Sequence, residues 1–144
     1  MKLSFIGGGI MAEAFIAGII SKGIAKPQDI LVSDPIEQRR QDLIQRYSVG
    51  ASQNNLTVAR GGDIVVLAVK PQTLPEVMNE MAGKFTEGQV ILSIIAGTPI
   101  ETISRGLGYN VVIRVMPNTP ARYGVGMSVW TASPQVDQET KDAV

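Results

Sequence analysis

Residues 2–15 read KLSFIGGGIMAEAF, and this stretch decides the fold of the chain. It begins as a short apolar strand and turns through glycines directly into a helix. Gly7, Gly9 and Ala12 fit the G-x-G-x-x-G/A spacing of a dinucleotide-binding turn, in which glycines allow a sharp bend and a close approach of pyrophosphate. The pattern predicts that the free N–H groups at the helix start face an anion. A tight turn without a ligand is the alternative interpretation.

Composition narrows the classes of protein to which the chain can belong. It has 144 residues, 44% of them hydrophobic and 18% charged, which is typical of one globular domain. A formal net charge of zero argues against non-specific binding to nucleic acid or to an anionic membrane. The sequence contains neither Cys nor His, so disulfides, thiol chemistry, the usual general base and most zinc sites are not expected.

Targeting signals are not evident in the sequence either. We see no apolar run of about eighteen residues, so no membrane span is predicted. Glycines interrupt the N-terminal apolar stretch, which does not resemble a signal peptide. The prediction is therefore a cytoplasmic protein.

Strands alternate with helices along the whole chain. Helices are predicted over residues 10–22, 36–47, 56–60, 72–84 and 99–105. Later strands are predicted over residues 30–33, 49–51, 63–69, 89–95, 111–116 and 127–131. The last of these alternates as an antiparallel edge strand would, and the unbroken apolar run of 63–69 suits a central parallel strand. This order predicts an α/β fold of Rossmann type: a doubly wound, mostly parallel sheet with helices on both faces.

The sequence also predicts which side chains of these elements face inward, pack or cap a helix. Leu43, Ile44 and Tyr47 are expected to face inward from the second helix, and Trp130 to serve as packing rather than as a base-stacking surface. Asp137 is expected to cap a last helix, which the end of the chain cuts after about two turns. We therefore expect a second domain to be missing from this chain.

Candidate binding residues occur wherever a predicted strand ends. These positions are the glycine turn, Ser33-Asp34, Ala68-Val69-Lys70-Pro71, Ala96-Gly97-Thr98 and Met116-Pro117-Asn118-Thr119-Pro120. Because the carboxyl ends of parallel strands meet at one edge of the sheet, these segments are predicted to converge on a single ligand site.

Asp34 bears on the choice of cofactor. It follows the glycine turn by a little over twenty residues, where a carboxylate can accept hydrogen bonds from both adenosine ribose hydroxyls and so favours NAD. Ser33 favours NADP instead, because its hydroxyl could donate a hydrogen bond to a 2′-phosphate. Arg39 and Arg40 are interpreted as a solvated helix face rather than as phosphate ligands. Asp34 with Pro35 could also simply cap the second helix, and capping is compatible with ribose binding.

Lys70 and Asn118 each have two interpretations. Lys70 directly follows an apolar strand, so it either lines a ligand cleft or extends its ammonium group to water. The backbone of this segment would line the cleft in both cases. Asn118 lies between Pro117 and Pro120, which would hold its amide toward a ligand, unless it serves only the turn itself.

Four motifs together resemble one enzyme family. They are FIGGGIM at residues 5–11, AVKP at 68–71, SIIAG at 93–97 and RVMPNTP at 114–120. Over essentially all of its length the chain resembles the N-terminal domain of the pyrroline-5-carboxylate reductases. The resemblance implies reduction of 1-pyrroline-5-carboxylate to L-proline, the last step of proline biosynthesis, with NADPH or NADH.

The resemblance also implies a set of cofactor contacts. The residues it assigns to cofactor binding are Ile6, Gly7, Gly8, Gly9, Ile10, Met11, Ser33, Asp34, Asn55, Ala68, Val69, Lys70, Pro71, Ile95, Ala96, Gly97 and Asn118. The glycine turn would hold pyrophosphate, Ser33 and Asp34 the adenosine ribose or its phosphate, and Asn55 the adenosine part. Asn118 would lie near the nicotinamide. Many relatives have a neutral residue or an arginine in place of Asp34, so both NADP and NAD remain open.

The remaining expectations concern the substrate. A cyclic imine can arrive already protonated, so no histidine base is required, and we assign no catalytic residue and no metal to this chain. The family's C-terminal helical domain, which forms the homo-oligomer and supplies the groups that bind substrate, is absent.

A non-catalytic NAD(P)-binding regulatory module is the alternative to a reductase function for this chain. Another imine or F420-linked reductase is a further one, against which the AVKP and MPNTP motifs argue.

Overall fold

A computed structural model describes residues 1–117 and 128–143 of the chain. Its strands are β1 Leu3–Ile6, β2 Ile30–Ser33, β3 Gly50–Ser52, β4 Ile64–Leu67, β5 Val90–Ser93, β6 Val112–Pro117 and β7 Ser128–Ala132. Its α-helices are α1 Ile10–Ser21, α2 Glu37–Tyr47, α3 Asn55–Arg60, α4 Leu74–Met81, α5 Ile100–Leu107 and α6 Gln138–Ala143. Strands and helices therefore alternate, as the sequence predicts.

The strands form one sheet in the order β3-β2-β1-β4-β5-β6-β7. Neighbouring strands are parallel except for β7, which runs antiparallel to β6 at the edge. After β3 the chain returns to the other side of β1, so the direction of winding reverses between β1 and β4. Ligands of doubly wound sheets bind outside the carboxyl ends of the strands at this reversal. The predicted Rossmann-type fold is confirmed.

Side chains alternate between two apolar cores, one on each face of the sheet. In β1, Leu3 and Phe5 belong to the core that contains α1 and Leu43, whereas Ile6 belongs to the core that contains α3, α4 and α5. Ser4 also lies on this second side, and its buried hydroxyl donates to the carbonyl of Val58 at 2.6 Å. All four residues of β4 are buried, which accounts for its unbroken apolar sequence.

Burial along the helices α1 and α2 is confined to a few positions. In α1 the fully buried residues are Ala12 and Ile16, while Met11, Phe15 and Ile19 are only half-buried. In α2, Leu43 is buried and Tyr47 packs against the same core, but Ile44 is 37% exposed, so its predicted inward position is wrong.

Of the two predictions for residues 128–143, one is confirmed and one is wrong. Asp137 caps α6, since its Oδ1 accepts the N–H of Thr140 at 2.8 Å. Trp130 lies on the edge strand β7 and is 53% exposed, so the prediction that it packs inside the protein is wrong. Within residues 1–117 and 128–143, none of the helices is both long and apolar enough to span a membrane.

Candidate functional site

The three glycines after β1 lie in different structural surroundings, so a side chain at each position would have a different effect. Gly7 has φ of +100°, and a Cβ there would lie 2.8 Å from the backbone oxygen of Ala68. A Cβ on Gly8 would lie 2.9 Å from the side chain of Leu43. Gly9 has an ordinary φ of −70° and no neighbouring atom within 4 Å of a Cβ position. The fold thus requires glycine at position 7, while a Cβ at position 8 would need the Leu43 side chain to shift, and Gly9 keeps a surface open.

That open surface is the start of α1. The first helical hydrogen bond joins the N–H of Glu13 to the carbonyl of Gly9 at 3.0 Å. The amides that precede it, including those of Ile10 and Met11, have no partner within the helix. A helix of 12 residues also directs the positive end of its dipole toward this point. Free amides and a bare glycine backbone together suit an anionic group such as pyrophosphate.

A cavity of about 450 Å³ opens between this turn and the ends of β4 and β5. Its lining residues are Gly9, Ile10, Met11, Ala68, Val69, Lys70, Pro71, Ile94, Ile95 and Ala96. The sequence predicts nine of these ten residues and misses Ile94. That residue directly follows β5 within the SIIAG motif, so its position at a strand end was the available signal. The volume falls in the usual range for small-molecule sites.

Other predicted residues lie outside the lining of this cavity. The side chain of Ile6 is buried in the core. Asn55 begins α3, and its amide donates to Glu80 of α4 at 2.9 Å. Gly97 is exposed with φ of +74° in the turn after β5. Asn118 lies outside the described residues, as do the other residues of 118–127.

Ser33 does not fit the role predicted for its hydroxyl. The residue is fully buried at the end of β2, and its Oγ donates to the carbonyl of Phe5 at 3.4 Å. In this structure the hydroxyl is therefore directed into the sheet rather than toward a phosphate at its edge. The carbonyl of Ser33 instead accepts the N–H of Gly7 at 2.9 Å, so this residue anchors the glycine turn.

Asp34 connects β2 to the glycine turn. Its Oδ2 accepts the N–H of Gly8 at 3.0 Å, and its Oδ1 accepts the N–H of Ile36 at 2.9 Å. Helix α2 begins only at Glu37, after Ile36 as its N-cap, so the predicted cap at Asp34 with Pro35 as first helical residue is wrong. The carboxylate forms a local turn with the N–H two residues ahead instead.

Arg39 and Arg40 of α2 both contact the backbone of this region. The Nε of Arg39 donates to the carbonyl of Gly8, and its Nη2 donates to the carbonyl of Gly9 at 3.2 Å and to Glu13 at 2.6 Å. The Nη1 of Arg40 donates to the carbonyl of Asp34 at 2.8 Å. The interpretation of these residues as a solvated face is therefore wrong, and sequence spacing gave no signal for their contacts.

Glu13 is the centre of a small charged network on α1. Its Oε1 accepts hydrogen bonds from Tyr47 at 2.8 Å and Arg46 at 3.0 Å, while its Oε2 pairs with Arg39. Partial burial raises the pKa of Glu13, but the hydrogen bonds from Arg39, Tyr47 and Arg46 lower it more, and the net pKa lies below its ordinary value. Glu13 is therefore a carboxylate at neutral pH.

The opposite side of the cavity is largely apolar. Val69 and Ile95 belong to the apolar core beneath it, while Lys70 and Pro71 are exposed at its rim. No group of three His, Cys, Asp or Glu side chains that could hold a metal occurs among the described residues. The arrangement is a set of backbone amides at the start of α1 beside an apolar wall.

Comparison with known proteins gives consistent matches. Residues 2–97 match the model of the family described as NADP oxidoreductase coenzyme F420-dependent. The pyrroline-5-carboxylate reductase of Synechocystis sp. is 37% identical over 139 residues, which are 96% of this chain and 52% of that protein. That of Corynebacterium melassecola is 38% identical over 149 residues, covering 99% of this chain and 54% of the relative. The chain spans about half the length of these curated relatives.

Solved structures agree with this similarity. The pyrroline-5-carboxylate reductase of Coxiella burnetii has a TM-score of 0.92 and 30% identity, covering 98% of this chain and 53% of that one. The pyrroline carboxylate reductase of Plasmodium falciparum, solved with NADP bound, has a TM-score of 0.85 and 27% identity. The match covers 99% of this chain and 52% of that one.

Proposed function

Because this chain belongs to the family described as NADP oxidoreductase coenzyme F420-dependent, and the relatives that it matches over 96% and 99% of its length are pyrroline-5-carboxylate reductases, we propose that it is the cofactor-binding half of such a reductase. The observation that carries the proposal is the cavity that joins the free amides of α1 to the strand ends after β4 and β5. A site with anion-binding amides at one side and an apolar wall at the other matches the two chemistries of a dinucleotide. NADPH or NADH would be the cofactor.

The residues would share the cofactor as follows. Gly9 and the first amides of α1 hold the pyrophosphate, and Asp34 lies beside the adenosine ribose. Ala68, Val69 and Ile95 line the dinucleotide. The proposed contacts of Ile6, Asn55, Gly97 and Asn118 rest on the family resemblance alone.

The reaction makes few chemical demands on this chain. When bound, the reduced nicotinamide supplies a hydride, which the carbon of a cyclic imine accepts. The apolar side chains of Val69 and Ile95 would shield that region from water, and the turn and strand ends would fix the cofactor's position. Groups that bind the imine and its carboxylate would come from a C-terminal helical domain, through which the whole protein would form a homo-oligomer. We also propose a cytoplasmic location for the enzyme.

Two measurements test this proposal. Titration of the 144-residue chain with NADPH and with NADH, followed by nicotinamide fluorescence, should show saturable binding of one dinucleotide. Absence of binding up to about 1 mM, a concentration at which even weak sites are occupied, would refute it.

The second measurement concerns turnover. A form of the protein as long as its relatives should oxidise NADPH in proportion to added 1-pyrroline-5-carboxylate. Binding of dinucleotide without such turnover would instead support the non-catalytic regulatory module.

A further inference from the structure

Arg39 is placed to control the shape of the glycine turn. It belongs to α2, 30 residues from Gly9 along the chain, yet one guanidinium reaches the carbonyls of both Gly8 and Gly9. The same group pairs with Glu13 of α1 at 2.6 Å, and the two side chains are only 21% and 16% exposed. A planar guanidinium with donors on several edges can make these contacts simultaneously, which a single ammonium cannot.

The contact with two carbonyls has a consequence for the neighbouring amides. In a planar trans peptide the C=O and the following N–H point in opposite directions. A hydrogen bond that fixes the Gly8 carbonyl therefore also fixes the direction of the Gly9 N–H. The bond to the Gly9 carbonyl does the same for the N–H of Ile10. Both of these residues line the cavity.

We propose that Arg39 is a positioning residue of the dinucleotide site, which holds the Gly8 and Gly9 carbonyls so that the Gly9 and Ile10 amides are aimed at the pyrophosphate. This inference rests on the proposed function. Glu13 keeps the guanidinium in place from the other side, and the part-buried hydroxyl of Tyr47 donates to Glu13 in turn. The charge of Arg39 also partly offsets the negative ends of the two carbonyl dipoles beside the bound anion.

The chain offers a matched control for this role. Arg46 also pairs with Glu13, at 3.0 Å, but its side chain is 61% exposed and its bond goes to Glu13 rather than to the turn. Arg39→Met and Arg46→Met each remove one arginine partner of Glu13. Only the first also removes the donor to the Gly8 carbonyl and leaves the Gly9 carbonyl with the N–H of Glu13 alone. The dissociation constants of the two variants for NADPH and NADH separate an effect on the turn from a general loss of charge.

We expect Arg39→Met to weaken both cofactors about tenfold, the cost of losing well-directed hydrogen bonds to a charged group. The NADPH to NADH ratio should not change, because both cofactors contain the pyrophosphate. Arg39→Lys should lose about threefold, since it keeps the charge without the fork. Arg46→Met should stay within about twofold of the wild type.

The outcomes distinguish this inference from the proposed function. If the wild type binds neither cofactor, the proposed function fails. If it binds and Arg39→Met binds within about twofold as well, or if Arg46→Met loses as much as Arg39→Met, only the role of Arg39 is refuted. Should Arg39→Met not fold, as judged by circular dichroism, Arg39→Lys decides: intermediate affinity supports the role, and wild-type affinity overturns it.

Discussion

The two sides of the cavity are built by different means. On one side, the glycine turn is held by polar contacts from β2 and α2, through Ser33, Asp34 and Arg39. On the other side, the backbone continues the sheet, because the N–H of Ala68 donates a hydrogen bond to the carbonyl of Ile6 at 2.8 Å. Side chains such as Ile95 are buried in the core there. The turn therefore depends on a few directed hydrogen bonds, whereas the apolar wall depends on burial. Substitutions on the two sides should therefore fail in different ways.

The largest expected effect is at Gly7. Gly7→Ala places a Cβ at 2.8 Å from the oxygen of Ala68, at a φ of +100° that side chains rarely adopt. We expect a loss of about 3 kcal/mol or more in the free energy of unfolding, from backbone strain together with the clash. Urea denaturation measures it. Gly18→Ala, at an open position on α1, is the control and should be neutral or stabilising. Equal stabilities of the two variants would contradict the tight join between turn and sheet.

The next effect tests the apolar wall. Ile95 is 2% exposed, so Ile95→Ala leaves a cavity in the core and should cost about 2–4 kcal/mol of stability. The half-buried Val69 gives a graded control, since Val69→Ala should cost less. Thermal or urea unfolding compares the two. If Ile95→Ala were as stable as the wild type, this side of the cavity would not be anchored by burial.

A smaller effect on stability, with a clear effect on selectivity, is expected at Asp34. Two like charges about 4 Å apart at an effective dielectric near 20 repel by about 4 kcal/mol, and even a quarter of this is several-fold in affinity. Asp34→Ser should therefore raise the affinity for NADPH relative to NADH at least several-fold. Losing its bonds to Gly8 and Ile36 should cost about 1 kcal/mol in the free energy of unfolding.

Asp34→Asn separates charge from hydrogen bonding, because the amide keeps one acceptor oxygen. The dissociation constants for NADPH and for NADH are measured for the wild type and for each variant at one low salt concentration. An unchanged NADPH to NADH ratio in both variants would mean that Asp34 only ties β2 to the turn.

The smallest effect is the pH dependence of the Glu13 network. The pKa of Glu13 in the folded chain lies below its ordinary value of 4.5. A lowered folded pKa stabilises the protein above the unfolded value, and this contribution is lost as pH falls through the folded one. Wild type should therefore lose its stability advantage over Glu13→Gln as pH falls below the ordinary value of 4.5 and through the lowered pKa of the folded chain. The midpoints of urea denaturation of both proteins, measured over a series of pH values in the acidic range, test this prediction. A difference between the two midpoints that does not change with pH would show that the Glu13 network does not cause the pH dependence.

The sequence predicted the elements that local pattern specifies. Gly7, Gly9 and Ala12 have a fixed spacing, and the run that contains β4 is apolar because both faces of the strand are buried. The convergence of strand ends followed from parallel pairing, which is why most of the cavity lining could be named.

The missed features depend on tertiary contacts that leave no periodic signal. Arg39 reaches a turn 30 residues away, and an arginine on a helix has the same pattern whether it faces water or a carbonyl. The buried hydroxyl of Ser33 and the exposed Trp130 are errors of the same kind, since burial at the end of a strand or on an edge strand depends on what packs against it.

The most direct test of the central claim is a titration of Gly9→Val. A Cβ at Gly9 meets no atom within 4 Å and φ is ordinary, so the variant should fold with wild-type secondary structure and lose at most about 1 kcal/mol of stability. Its branched side chain would occupy the space where the pyrophosphate approaches the backbone. Calorimetry should show at least tenfold weaker binding of both NADPH and NADH, a loss of about 1.4 kcal/mol in binding free energy. Equal affinities in the wild type and this folded variant would show that the glycine turn is not the dinucleotide site.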